Sequence, residues 1–182
     1  FFVRQPVQSP TWVVMGQLRG VLPNFCERPA PAAPFDKALD AVGLERTLTY
    51  GRLPGGLVML NWPLGGNDWH DGLRRSISSH RSERDALDQE MQQHSLQFLD
   101  QLSRCSDGWL TRGDAFPSAQ PHLALMPYWR EGRRMVGDAV VSERDLLPVT
   151  PQARRSHLNT TSIAVGTYAN DHHYPGDDWP LA

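Results

Sequence analysis

Ser82-Glu83-Arg84-Asp85-Ala86-Leu87-Asp88-Gln89-Glu90-Met91, running on to Phe98 and Leu102, is the stretch that decides how this chain is built. A Ser followed three residues later by an acid has the form of a helix-opening capping box. Leu87, Met91, Phe98 and Leu102 then recur at helical spacing and share one face. Asp88, Glu90 and Gln97 fall on the opposite face, which predicts one long, half-buried helix.

Upstream of that helix, Thr47-Leu48-Thr49-Tyr50 and Leu57-Val58-Met59-Leu60 flank Pro54-Gly55-Gly56, a pattern that predicts a hairpin. Between hairpin and helix runs a loop, residues 61–72, dense in Gly, Asn, Asp and Trp. Such a loop is costly to build unless it contacts something. Asp36 reads as the N-cap of a short helix through Val42, with Gly43 placed to end it. Residues 28–34 are a Pro/Ala connector, and residues 3–16 read as extended chain broken by Pro6 and Pro10, with Trp12 to Met15 the best strand. Downstream, a Pro/Gly/Asp-rich loop spans 106–121, and strands are expected over 134–141 and 162–168. The tetrapeptide Ser142-Glu143-Arg144-Asp145 marks a second helix start. A long helix with several separated strands predicts an α+β fold: a mixed or antiparallel sheet, one long half-buried helix and shorter helices. Residues 1–182 suffice for a single domain with its own core.

Eighteen Lys and Arg against twenty Asp and Glu leave a net charge of −2. That balance gives no electrostatic footprint for nucleic acid or for an acidic membrane surface. No apolar run reaches the ~20 residues of a membrane span. Cys26 and Cys105 stand far apart, in no metal-type spacing. They read as two free thiols of a reducing compartment, which favours a soluble, cytoplasmic protein over a secreted one. The chain opens on Phe1-Phe2 without Met and stops at Trp179-Pro180-Leu181-Ala182, so a piece of a larger polypeptide is expected.

Three constellations carry possible chemistry. In Tyr128-Trp129-Arg130-Glu131-Gly132-Arg133-Arg134, an extended chain puts Arg130 and Arg134 on one face and Arg133 on the other. Two guanidinium groups on one side suit a carboxylate, a phosphate or an anionic ring, unless Glu131 or Asp138 takes them up. Asn170-Asp171-His172-His173 ends the apolar strand, a common place for site residues in mixed α/β proteins. Adjacent histidines on extended chain point in opposite directions, so one at most faces a given site. Asp171, Asp177 and Asp178 lie close in sequence, but the spacing fits no tight ligand motif, and no metal is assigned. The third constellation is the 61–72 loop, whose Trp62, Trp69, Gly65 and Gly66 suit a flat ligand or merely cover a sheet edge. The sequence holds no G-x-G-x-x-G unit, P-loop or G-x-S-x-G elbow, so neither a dinucleotide grip nor nucleophilic hydrolysis has positive support.

Two of these segments carry a resemblance. Pro127 to Gly137, with the Val-rich strand and Ser-Glu-Arg-Asp-Leu-Leu after it, looks like R-E-x-R-R-(I/M)-V-G-x-x-x-(L/V)-(T/S)-x-x-D. Ser162 to His172 is similar to S-I-(A/G)-(V/M)-G-(S/T)-Y-x-x-D-x-H. Both patterns are those of FAD-dependent oxidoreductases, two-domain flavoproteins with a Rossmann-like FAD domain and an inserted substrate domain. A looser match covers Asn61 to Trp69 and the helix after it. The resemblance spans about residues 57–178, and it implies a substrate-side fragment that lacks the Rossmann-like domain.

Several expectations follow from the resemblance. The cofactor is FAD, its ADP half held by the remainder of the parent polypeptide, and the chain alone binds it weakly or not at all. Arg130, Asp171 and His172 are the catalytic candidates, with Arg133, Arg134 and Gly137 placed at the cofactor. Asn61, Asn67 and Trp69 face a small-molecule substrate, with the two asparagines as hydrogen-bond donors. Two other readings stay open: a metal-dependent phosphoesterase built on Asp171-His172-His173, and a non-enzymatic module that binds carbohydrate or protein through its tryptophans.

Overall fold

The computed structural model describes residues 9–20, 33–63, 65–129, 148 and 150–153. Those from 9 to 129 belong to one compact unit, and residues 148 and 150–153 to another. In the second unit the described residues form a turn, closed where Ala153 N–H donates to the Thr150 carbonyl at 3.0 Å.

The first unit is α+β, as expected. Its strands are β1 (Val14–Leu18), β2 (Leu57–Leu60) and β3 (Leu110–Arg112), and its helices are α1 (Asp36–Val42), α2 (Leu44–Thr49) and α3 (Arg81–Cys105). The sheet is antiparallel throughout, in the order β2-β1-β3, with Gly16 opposite both Val58 and Arg112. Gly16 is closely covered there: a Cβ would stand 2.5 Å from Leu110 Cδ1 and 3.0 Å from Val58 Cγ1. An absent side chain lets both neighbouring strands close over the central one.

The helix read from the sequence forms as α3, about 37 Å long at 1.5 Å per residue. Leu87, Met91, Phe98, Leu99 and Leu102 are buried, and they pack with Val14, Leu18, Val58 and Leu60 of the sheet. Each such side chain contributes roughly 1.5–3 kcal/mol by leaving water. The helix starts two residues earlier than the capping pattern implies, with His80 and not Ser82 as its N-cap and with no side-chain cap bond. Its first turn is held instead by Arg81 and Asp85, 3.3 Å apart, and by Arg84, whose guanidinium donates to the Ser78 carbonyl. Asp36 likewise sits inside the first turn of α1 with Phe35 before it, and Gly43 ends that helix as predicted.

The hairpin expectation is half right. Pro54-Gly55-Gly56 does turn the chain, bracketed by Leu53 N–H to the Leu57 carbonyl (2.8 Å) and Met59 N–H to the Gly51 carbonyl (2.8 Å). Thr47 to Thr49, however, lie in α2 and not in a strand. Thr47 Oγ1 donates to the Gly43 carbonyl and Thr49 Oγ1 to the Glu45 carbonyl, each at 2.8 Å. These bonds settle the hydroxyls within the helix, and burial of Leu48 fixes its inner face. The strand that pairs with β2 is β1.

Candidate functional site

The 61–72 loop leaves β2, crosses the end of β1 and leads to α3. Asn67 knots it in place. Its Nδ2 donates to the carbonyls of Trp12 and Leu60, both at 3.1 Å, and lies 3.4 Å from Ser95 Oγ on α3. Its Oδ1 accepts from Trp62 N–H at 2.8 Å. Asn67 is 1% exposed, so this amide gives its hydrogens to a strand, a loop and a helix inside the protein.

Asp68 is equally buried and acts as a hub for hydrogen bonds. Oδ2 accepts from Ser9 Oγ (3.1 Å) and from His70 Nε2 (3.0 Å), while Oδ1 accepts from Gly65 N–H (3.1 Å). Burial by itself raises the Asp68 pKa, but the His70 bond and charge, with those from Ser9 and Gly65, outweigh it. The carboxyl is held below its usual range and stays ionised. Ser, Asp and His meet here, yet both partners converge on one carboxylate oxygen. A nucleophile needs the histidine between serine and acid, so this arrangement orders the loop and activates no hydroxyl.

Gly66 follows the same local logic. A Cβ at this position would lie 2.5 Å from the Trp62 carbonyl oxygen, so only glycine lets the loop fold so tightly. Its own carbonyl is then turned to His94 of α3, whose Nε2 lies 3.0 Å away and must donate. The His94 ring packs against Phe35 and Trp69, with centroids 5.0 and 5.2 Å away. Burial pushes its pKa down, and the Gly66 bond and the Asp68 charge only partly restore it.

A groove of ≈ 410 Å³ opens beside this contact, walled by Trp69, Gln89, Glu90, Gln93, His94 and Gln97. A second, of ≈ 290 Å³, lies on another side of α3 and is lined by Arg81, Arg84, Asp85, Asp88 and Trp129. Burial, and then the charge of Asp85, raise the pKa of Asp88. Amides make up much of the first groove's wall, whereas two arginines and two aspartates line the second.

Of the expected site residues, Asn61 and Trp69 are half-buried in the loop, and Trp69 reaches a groove. Asn67 lies beneath the loop with its amide turned inward. Arg130, Arg133, Arg134, Gly137, Asp171 and His172 lie outside the described residues, as do the strands expected over 134–141 and 162–168 and the helix start at Ser142. The wall formed by Gln89, Gln93 and His94 escaped the sequence reading, although glutamines four residues apart are a visible signal. Cys105 is a free thiol, buried on α3. Among the described residues no three His, Cys, Asp or Glu side chains are grouped to hold a metal, and no helix is long and apolar enough to cross a membrane.

Comparison with known proteins adds the remaining finding. The sequence profile of the family described as FAD dependent oxidoreductase matches residues 10–181, nearly the whole chain. No curated protein and no solved structure matches it.

Proposed function

Because the chain belongs to the FAD dependent oxidoreductase family, we propose that it forms the substrate-side region of such an enzyme, with the nucleotide grip supplied by the rest of a longer polypeptide. The match over residues 10–181 carries this reading, since it takes in both the Arg130–Gly137 segment and the Asp171-His172 pair. The lack of any G-x-G-x-x-G unit in the chain favours a grip located elsewhere.

The chemistry suits the residues. A flavin, when bound, supplies two-electron transfer and gathers negative charge near N1 and C2=O as it is reduced. Arg130 and Arg134 provide fixed positive charge for that region, and Arg133 and Gly137 are the further candidates for holding the cofactor. His172, oriented by Asp171, holds or accepts a proton beside the reacting carbon of the substrate. Asn61 and Trp69 border the substrate from the 61–72 loop, while Asn67 acts beneath it by fixing the loop.

Expression of the complete reading frame tests this reading. The purified product is expected to be yellow, with flavin absorption bands and FAD released on denaturation. Arg130→Ala and Arg134→Ala should each lower the flavin reduction potential, and His172→Ala should cut kcat and remove one limb of its pH profile. A colourless full-length protein that takes up no FAD would sink the proposal.

A further inference from the structure

Gln89, Gln93 and Gln97 repeat every four residues along α3, so they follow one another down one wall of the ≈ 410 Å³ groove. From first to last the helix rises ~12 Å. All three are exposed, and their amides hydrogen-bond to no other described residue. A primary amide carries two N–H donors and a carbonyl acceptor, which matches hydroxyl groups that both donate and accept. Trp69 adds an indole whose Nε1–H is already given to the Asp71 carbonyl at 2.6 Å. With its donor engaged, that ring offers the groove apolar surface, which suits the C–H face of a sugar ring.

Charge in the groove is balanced within the protein. Arg75 holds Glu90 through two bonds, at 2.7 and 2.5 Å. His94, desolvated and bonded to the Gly66 carbonyl, is neutral near pH 7. An anionic ligand meets the Glu90 carboxylate, and a cationic one finds that carboxylate already taken. A ligand charge of either sign is therefore desolvated without a partner. The volume lies in the lower part of the about 300–1,000 Å³ range of small-molecule sites, a size for a mono- or disaccharide.

We propose that this groove binds a neutral, hydroxyl-rich ligand of the saccharide class, gripped by the Gln89, Gln93 and Gln97 amides against the Trp69 indole. The groove walls carry this without any flavin, so the site stands or falls independently of the redox reading.

The test is calorimetric titration of the 182-residue chain, without FAD, with the methyl glycosides of glucose, galactose and mannose and with cellobiose. Glucuronate and glucosamine serve as charged controls, and saturation-transfer NMR reports which ligand protons touch the protein. Saturable binding of at least one neutral saccharide is expected, about tenfold weaker in Gln89→Ala and in Gln93→Ala, as loss of one good hydrogen bond implies. Both glutamines are exposed, so the variants should keep the wild-type circular dichroism. Failure of every neutral saccharide to bind overturns the site. So does binding that both alanine variants leave unchanged, or equal affinity for the charged controls.

Discussion

His94 Nε2 lies 3.0 Å from the carbonyl oxygen of Gly66, and this bond ties the 61–72 loop to the middle of α3. Phe35 and Trp69 pack against the ring, and its burial holds the pKa below the ordinary 6.5.

A pH dependence follows, with a definite sign. The unfolded chain takes up a proton at His94 as pH falls through 6.5, while the folded chain resists until lower pH. The His94 contribution is therefore complete above 6.5 and is lost as pH drops from there towards the depressed folded value. Asp68 is depressed below 3.8, so its contribution is lost only in stronger acid. Burial, and then Arg112, also lower the pKa of His122, which leaves a residual slope. Denaturant midpoints followed downward from neutral pH should fall in the wild type and fall less steeply in His94→Gln, which keeps a donor for Gly66. Equal slopes in the two proteins would remove His94 from this role.

Asn67→Ala should destabilise the fold strongly. It strips donors from the buried Trp12 and Leu60 carbonyls and an acceptor from the half-buried Trp62 N–H. Each buried group left unsatisfied costs about 1–3 kcal/mol, so a total loss on the order of 3 kcal/mol is expected from urea unfolding. Asn67→Asp keeps the size and the acceptor but loses the donors and buries a charge, and it should be no better. A loss below about 0.5 kcal/mol for the alanine variant, the scale of an ordinary surface substitution, would show that the knot is dispensable.

What was legible in the sequence depended on periodicity. The α3 stripe of Leu87, Met91, Phe98 and Leu102 announced both the helix and its buried face, because four turns repeat one signal. β3 went unread inside the 106–121 loop, since three residues are too few to show alternation. Thr47 and Thr49 suggested strand by their β-branching, but their hydroxyls found helical acceptors and burial of Leu48 did the rest. The density of Gly, Asn and Trp announced the irregular chain seen over the described residues of the 61–72 loop. The direction of Asn67 could not be read, because irregular chain has no period to separate inward from outward side chains. The glutamine wall was legible in spacing but looked like an ordinary solvated helix face, and only the groove beside Trp69 distinguishes it.

Gly16→Ala probes the centre of the sheet. The new methyl group would stand 2.5 Å from Leu110 Cδ1, and Leu110 is fully buried, so its side chain must shift against packed neighbours. Overpacking of this kind costs typically 1–3 kcal/mol. Leu110→Ala alone leaves a cavity and costs about 2–5 kcal/mol. In the double variant the methyl enters the space Leu110 vacates, so the two losses should sum to more than the measured total. Strict additivity in equilibrium unfolding would mean that the two side chains do not compete for one volume.

Arg75 and Glu90 allow the electrostatics of the groove to be separated from its stability. Their bond is bidentate, but the side chains are 29% and 43% exposed, so solvent screens most of the attraction. Such pairs are worth about 0.2–1 kcal/mol. Arg75→Gln should therefore lower stability by no more than that, and added salt should narrow the difference from wild type. It should also let the Glu90 carboxyl rise from its depressed value, which the Arg75 hydrogen bond chiefly sets, and NMR titration of the Glu90 side chain reads that directly. A Glu90 titration that stays where it was after Arg75→Gln would show that the guanidinium does not hold the carboxylate in solution.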